Sequence, residues 1–172
     1  MKKNIVISIL TLLVALPLTA QEWKLVWSQE FNEEGRPDSS VWNYEQGFVR
    51  NHEAQWYQSE NAYQKDGLLI IEARKEQKNN PTYRERSRHW GQQRPTIDYT
   101  SACLTTQGKY SFLYGRFEVC ARIPTAGGAW PAIWTLGSGM EWPSCGEIDL
   151  MEYYRIKGVP HILANVAWGN DL

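Results

Sequence analysis

Residues 145–154 read Cys-Gly-Glu-Ile-Asp-Leu-Met-Glu-Tyr-Tyr, an apolar and aromatic run that carries three carboxylates, Glu147, Asp149 and Glu152. Such a run is typical of a strand in a packed sheet. Because even one unpaired buried charge costs several kcal/mol, the three acids must face water, a ligand, a metal or one another. This stretch therefore indicates both a packed sheet and the place of a functional site.

On a regular strand the three acids do not share a face. Side chains alternate, so Glu147 and Asp149 point to one side and Glu152 to the other. One extra residue near Leu150 and Met151, a β-bulge, reverses the alternation and lets all three acids project together. Bulges are enriched beside active sites, and we predict one here.

The bulge also sets a distance between the two glutamates. It places Glu147 and Glu152 about four regular steps apart, or ~13 Å between Cα atoms at ~3.3 Å per residue. Side chains that lean together bring the carboxyl groups to roughly 5 to 6 Å, near the ~5 to 5.5 Å separation of retaining glycosidases. This spacing favours a nucleophile and an acid/base over a pair that activates water.

Two other interpretations of the acidic strand stay open. The pattern Glu-x-Asp-x-x-Glu could bind calcium, although calcium sites normally draw on a flexible loop and on carbonyl groups. The acids could also form a solvated strand face, which the apolar neighbours Ile148, Leu150 and Met151 make less favourable.

The rest of the chain has the pattern of an all-β protein. Short runs rich in β-branched and aromatic residues, bounded by turn pairs, predict strands at residues 23–28, 67–74, 110–123, 129–136 and 161–168. Residues 75–94 are polar and basic without a strand pattern, which predicts a surface loop or a loop bordering a binding cleft. Since no helical period follows residue 20, we expect a β-sandwich or barrel.

Residues 1–20 have the features of a secretory signal peptide. Two lysines precede an apolar run that is shorter than the ~20 residues of a membrane-spanning helix, and Ala20 closes it. We therefore expect cleavage after Ala20 and a secreted or periplasmic domain at residues 21–172, with no membrane span. The net charge of -1 argues against nucleic acid as a partner, and we expect a monomer.

Aromatic residues are unusually frequent. Nine tryptophans and nine tyrosines recur beside polar residues, which suits the stacking of sugar rings, although an aromatic sandwich core would give the same composition. The chain also has three cysteines, Cys103, Cys120 and Cys145. Cys103 and Cys120 could pair, or could remain free thiols.

Residues 146–152 resemble the bulge-type signature of glycoside hydrolase family 16. Further segments resemble the same family in the same order, namely residues 27–32, 51–57, 99–106, 114–118 and 130–134. The resemblance implies a concanavalin-like β-jelly roll of two antiparallel sheets with the glycan in a cleft on the concave face. It also implies that the last part of the domain is absent from this sequence, so we expect residues 21–172 alone to be unstable and inactive.

The resemblance assigns roles to individual residues. It implies that Glu147 is the nucleophile, Glu152 the acid/base and Asp149 the residue that hydrogen-bonds the nucleophile and assists proton balance. It implies sugar binding by Trp130, Trp134, Asn51, Glu53 and Arg116. No cofactor is required, but some members bind a structural calcium, for which Glu30 is near one candidate ligand position.

The substrate class also follows from the resemblance. Residues 142–147, Trp-Pro-Ser-Cys-Gly-Glu, resemble the β-glucanase branch and imply endo-acting hydrolysis of β-1,3 or mixed β-1,3/1,4 glucan by double displacement. Ala167 occupies the place where many β-1,3-glucanases have a histidine, which weakens an assignment to laminarin alone. Three alternatives stay open: a sulfated galactan hydrolase (agar, porphyran or carrageenan) whose arginines at residues 84–94 bind sulfate, a transglycosylase, and a non-catalytic carbohydrate-binding protein on the same fold.

Overall fold

The computed structural model describes residues 22–169, so the secretory signal predicted at residues 1–20 lies outside the described part. The chain divides into two units, Met1–Glu30 and Phe31–Leu172. Within residues 22–169, no helix has the length and apolar character needed to cross a membrane.

The strand predicted at residues 23–28 is wrong, because residues 22–30 contain no regular element. A strand persists only where its backbone N–H and C=O groups find a partner. Within the described part of the chain, no β-ladder includes residues 22–30.

The second unit is built from strands, which confirms the all-β prediction. Its described part contains ten strands: β1 (Asn43–Tyr44), β2 (Gln55–Tyr57), β3 (Ala62–Lys65), β4 (Leu68–Ile71), β5 (Arg74–Asn79), β6 (Thr96–Ser101), β7 (Leu104–Thr105), β8 (Ala132–Leu136), β9 (Glu147–Ile156) and β10 (Val159–Ala167). Two single-turn 3₁₀ helices lie at Ser59–Asn61 and Trp90–Gln92.

The strands form four sheets. The acidic strand β9 is the middle strand of an antiparallel sheet in the order β10-β9-β8. A second sheet has the order β2-β6-β5, in which β2 runs parallel and β5 antiparallel to β6. The pairs β1-β7 and β3-β4 complete the set. Because β9 has a partner on each side, its register is fixed from both edges.

The other strand predictions have mixed outcomes. Those at residues 129–136 and 161–168 are confirmed as β8 and β10, and residues 67–74 are divided between β4 and β5. The strand predicted at residues 110–123 is wrong, since these residues are largely exposed and pair with none of the described strands. Alternation of apolar and polar residues is compatible with a strand, but a strand forms only when its backbone hydrogen-bonds to a neighbouring strand.

The prediction that residues 75–94 lack a strand is wrong for residues 75–79, which belong to β5. This strand pairs with β6 through its backbone, with a register shift between Lys75 and Lys78. Polar side chains on both of its faces concealed the two-residue period. The ladder itself needs no apolar side chains.

Residues 80–95 form the predicted surface loop, and Asn80 holds it together. The side chain of Asn80 is buried, and its Nδ2 donates hydrogen bonds to the carbonyl oxygens of Gly91 at 2.8 Å and Arg94 at 2.7 Å. Its Oδ1 accepts from the backbone N–H of Thr82 at 2.9 Å. One buried amide therefore joins both ends of the loop.

The most deeply buried residues of the unit are polar. Asn61 and Thr100 are fully buried, and Asn61 Nδ2 donates to Thr100 Oγ1 at 3.0 Å and to the Glu72 carbonyl at 2.9 Å. Gln58 Nε2 donates to Asn61 Oδ1 at 2.7 Å, and Thr100 Oγ1 donates to Glu76 Oε1 at 2.5 Å. This chain of hydrogen bonds ties the β3-β4 pair to the sheet that contains β6.

We expect Asn61→Ala to lower the free energy of unfolding of the full-length protein by about 2 to 3 kcal/mol, because it leaves a cavity and orphans buried partners. Urea unfolding measures the change. Asn79→Ala at an exposed position of β5 is the control and should change stability by less than about 0.5 kcal/mol. Equal effects of the two substitutions would contradict this view of the core.

Candidate active site

Strand β9 contains the predicted bulge, as its register with β8 shows. Trp134 pairs with Asp149, and the preceding residue Ile133 pairs with Met151. Leu150 is therefore an extra residue on β9 that has no counterpart on β8.

The register with β10 contains the same shift. Asn165 pairs with Asp149 and Leu163 pairs with Glu152, so three steps on β9 match two steps on β10. Directly paired residues of antiparallel strands point to the same face of the sheet. The bulge thus brings Glu147, Asp149 and Glu152 onto one face, which confirms the prediction of their common side.

This face also presents residues from both neighbouring strands. Trp134 is the β8 partner of Asp149, so the indole belongs to the same face as the acids. Ala167 is the β10 partner of Glu147. The structure therefore brings the predicted sugar-binding residue Trp134 to the carboxylates. The Ala167 side chain beside Glu147 is only a methyl group.

Each glutamate accepts a hydrogen bond from a tryptophan. Trp142 Nε1 donates to Glu147 Oε2 at 2.9 Å, and Trp130 Nε1 donates to Glu152 Oε1 at 3.0 Å. Asp149 between them is buried, with 6% of its surface exposed, whereas the glutamates are half-buried. Because an indole N–H can only donate, each contact fixes one carboxylate oxygen and leaves the other for chemistry.

The far end of β9 holds the segment that carries Trp130. The Tyr153 hydroxyl and Arg155 Nη2 both donate to the Thr125 carbonyl at 3.0 Å, and the Tyr153 N–H donates to the Pro131 carbonyl at 3.0 Å. Tyr153 is itself buried. The strand that supplies Glu152 therefore also positions the indole that donates to it.

The loop between β8 and β9 carries Trp142 and is closed by backbone contacts. The Gly137 N–H donates to the Gly146 carbonyl at 3.0 Å, and the Cys145 N–H donates to the Glu141 carbonyl at 3.0 Å. A Cβ atom on Gly137 would lie 1.9 Å from the Cys145 carbonyl oxygen. Only glycine allows this close approach, which fixes the start of β9 and hence Glu147.

A second wall of the site comes from residues 45–57. The Cζ atom of Arg50 lies over the Trp134 ring, 5.3 Å from its centroid, and 5.8 Å from the centroid of the Tyr57 ring. Arg50 also forms an ion pair with Glu45. This contact with Trp134 links the segment to the face that carries the acids.

Of the predicted residues, Asn51 directly follows Arg50 in the chain, and Glu53 lies two positions after Asn51. Glu53 Oε2 accepts hydrogen bonds from Gln55 Nε2 at 2.8 Å and from the Tyr57 hydroxyl at 3.0 Å. Burial, and then the charge of Glu53, raise the pKa of Tyr57 above its ordinary value, so Tyr57 stays a hydrogen-bond donor. Asn51 is exposed with a left-handed φ of 53°, which asparagine tolerates.

Arg94 braces this turn from the neighbouring loop. Its Nη1 donates to the Glu53 carbonyl at 2.6 Å and its Nη2 to the His52 carbonyl at 2.9 Å. The guanidinium Cζ lies 4.7 Å from the ring centroid of Phe48 and 5.0 Å from that of Trp90. Arg94 is therefore a structural clamp on residues 52–53.

Two further sequence predictions stay predictions. Arg116 lies on a segment without regular structure, and its described contact is the exposed ion pair with Glu118 at 2.5 Å. The calcium site near Glu30 is likewise untested. Among residues 22–169, no group of three or more His, Cys, Asp or Glu side chains is arranged to hold a metal ion.

The cysteines are free thiols in the structure, which decides between the two alternatives left by the sequence. Cys120 is exposed, whereas Cys103 is half-buried beside Glu45 and Arg50. Burial and the negative charge of Glu45 raise the pKa of the Cys103 thiol to about 12. Cys103 is therefore protonated and unreactive at neutral pH.

Sequence reasoning did not select Trp142, Arg50 or Arg94 as site residues. Trp142 stands five positions before Glu147, and Arg50 directly precedes Asn51, so proximity in the chain was an available signal for both. For Arg94 the only signal was the basic composition of its loop. Its contact with residues 52–53, 41 and 42 positions away, depends on the fold.

The chain is similar to known proteins in sequence and in fold. Residues 42–160 match the family profile described as "XgeA-like, catalytic GH16 domain". The chain is 45% identical over 145 residues to a β-glucanase of Rhodothermus marinus, which covers 78% of this chain and 45% of that protein. It is 32% identical over 153 residues to a keratan-sulfate endo-1,4-β-galactosidase of Sphingobacterium multivorum, covering 86% of this chain and 33% of the relative.

A solved structure shows the same fold. The catalytic domain of an endo-1,3-β-glucanase (laminarinase) from Thermotoga petrophila superposes with a TM-score of 0.66 and 35% identity, over 89% of this chain and 66% of that one. The jelly-roll prediction is therefore confirmed. The chain spans about half the length, or less, of these two curated relatives.

We expect Gly137→Ala to lower kcat of the full-length protein by at least about tenfold, because the added methyl group displaces the Cys145 carbonyl and the start of β9. Steady-state assays on soluble β-glucan measure the change. Gly127→Ala is the matched control, since a Cβ there meets nothing within 4 Å. An unchanged kcat for Gly137→Ala would show that the loop closure does not position Glu147.

Proposed function

The chain belongs to glycoside hydrolase family 16, and on that premise we propose that the complete protein is an endo-acting, retaining hydrolase of β-1,3 or mixed β-1,3/1,4 glucan. The observation that carries the proposal is the bulge in β9, which brings Glu147, Asp149 and Glu152 onto one face. The similarity to a β-glucanase and to a laminarinase supports the substrate class.

The first chemical step forms a covalent intermediate. The Glu147 carboxylate attacks the anomeric carbon of the sugar while Glu152 gives its proton to the glycosidic oxygen. The bond to the leaving sugar breaks, and a glycosyl ester of Glu147 forms. Trp142 already engages Oε2 of Glu147, so Oε1 is the free oxygen for attack.

The second step releases the product with the original configuration. Glu152, now a carboxylate, takes a proton from a water molecule whose oxygen attacks the anomeric carbon and displaces Glu147. Trp130 holds Oε1 of Glu152, so Oε2 carries the proton in both steps. Asp149, buried between the glutamates, assists the proton balance. The reaction requires no cofactor.

The indole of Trp134 gives the cleft an apolar surface beside the acids. Sugar rings present C–H patches that stack on aromatic faces. The contact of Arg50 with Trp134 supports our assignment of the nearby residues Asn51 and Glu53 to the same wall, as hydrogen-bonding groups. We also propose that residues 1–20 direct export of the protein and that the protein is a monomer. Both proposals come from the sequence.

Hydrolysis of a sulfated or galactose-containing glycan is the second candidate. Two observations favour it: the similarity to a keratan-sulfate endo-1,4-β-galactosidase, and three exposed arginines, Arg84, Arg86 and Arg88. Within the described range their guanidinium groups make no ion pair or side-chain hydrogen bond. Arg94 is not part of this set, since its N–H groups bind carbonyls.

Reducing-sugar release from several polymers separates the two candidates. The full-length protein is assayed on laminarin, mixed-linkage glucan, agarose, porphyran and keratan sulfate. Cleavage of a glucan supports the first candidate, and cleavage of a galactan or keratan sulfate alone replaces it with the second. Binding without cleavage would identify a carbohydrate-binding protein.

We expect Glu147→Gln and Glu152→Gln each to lower kcat by about a hundredfold to ten-thousandfold, because each removes one of the two reacting carboxylates. Azide distinguishes their roles. With an activated aryl glycoside, Glu152→Ala plus azide should give the β-glycosyl azide, and Glu147→Ala plus azide the α-glycosyl azide. NMR of the products decides, and the reverse assignment would exchange the two roles.

A further inference from the structure

We propose that Arg50 is a positioning residue that holds the Trp134 indole in its sugar-binding orientation beside the carboxylates of β9. The proposal rests on the proposed function, which gives Trp134 its contact with substrate. Arg50 lies outside the acidic strand and outside the sheet that carries Trp134. It reaches the site from the segment before β2, with its Cζ atom 5.3 Å from the centroid of the Trp134 ring.

The guanidinium group is itself held in place. Glu45 forms an ion pair with Arg50, and the two side chains are only 22% and 29% exposed, respectively. The Tyr57 ring lies on another side, 5.8 Å from the guanidinium Cζ. A cation with a carboxylate partner and two aromatic neighbours has little rotamer freedom. The fixed guanidinium group can therefore restrict the orientation of the Trp134 ring.

The backbone around Arg50 is also fixed. The Gly47 and Tyr57 backbones exchange two hydrogen bonds of 2.9 Å, and the Glu45 N–H donates to the Cys103 carbonyl at 3.0 Å. These contacts anchor both ends of the segment that carries Arg50. The guanidinium group therefore contacts Trp134 from a segment whose backbone is held at both ends by hydrogen bonds.

The stacking geometry determines which surface of Trp134 remains for a ligand. A cation over an aromatic face is attracted to it, and more strongly when water is excluded. With the Arg50 guanidinium over one face, a sugar ring stacks on the opposite face. Holding the indole in place before binding removes the entropic cost of ordering a mobile side chain when the sugar binds. Arg50 therefore acts on substrate binding and not on bond cleavage.

A double-mutant cycle tests the proposal in the full-length protein. Arg50→Met removes the charge and keeps the length of the side chain, and we expect it to raise KM for a long oligosaccharide by about threefold to tenfold. We expect kcat to change by less than about twofold. In a Trp134→Ala background the same substitution should leave KM unchanged, because its effect passes through Trp134.

An equal rise in KM in both backgrounds would overturn the proposal and give Arg50 a merely structural role. An unchanged KM for Arg50→Met alone would also overturn it. Arg36→Met is the matched control, since Arg36 forms an exposed ion pair with Glu60 outside the site.

A spectroscopic measurement separates this proposal from the proposed function. In protein labelled with 5-fluorotryptophan, Trp134→Phe identifies the fluorine resonance of Trp134 by its loss. We expect Arg50→Met to shift that resonance, whereas Arg36→Met should not. If the protein cleaves no glycan, the proposed function fails while this experiment still decides on Arg50, and an unshifted resonance would refute the positioning role.

Discussion

The site depends on one extra residue in a strand. Without Leu150 between its neighbours, β9 would present Glu147 and Asp149 to one side and Glu152 to the other. The bulge resolves this conflict while the strand stays paired on both edges, so the acids gain a common face without a break in the sheet. A strand in the middle of a sheet fixes the register from both sides, which no edge strand or loop could do.

Polar partners from three other segments complete the site. Residues 125–131 bring Trp130 to Glu152, the loop between β8 and β9 brings Trp142 to Glu147, and residues 45–57 bring Arg50 to Trp134. Backbone hydrogen bonds hold each of these segments in place. The arrangement is therefore preorganised, so the site needs little reorganisation when the transition state forms.

The sequence predicted the parts of the structure whose reasons are local. Three acids on an apolar strand required a bulge, and β8, β9 and β10 followed from short runs of β-branched and aromatic residues. The failures have one physical cause. Residues 110–123 alternate as a strand should but form no ladder with a described strand, whereas residues 75–79 lack apolar alternation and still pair with β6. A strand forms only when its backbone hydrogen-bonds to a neighbouring strand, and the sequence of one segment does not reveal that neighbour. For the same reason, the contacts of Arg50 with Trp134 and of Arg94 with residues 52–53 could not be read from the sequence.

Deletion of Leu150 shows whether the bulge brings the three acids together. The deletion restores regular alternation and turns Glu152 to the opposite face, so kcat for β-glucan should fall by about a hundredfold to ten-thousandfold. Leu150→Val is the control and should keep most of the activity, and circular dichroism checks that the deletion variant retains its strands. A folded deletion variant with the kcat of the unmodified protein would contradict the claim that the bulge assembles the site.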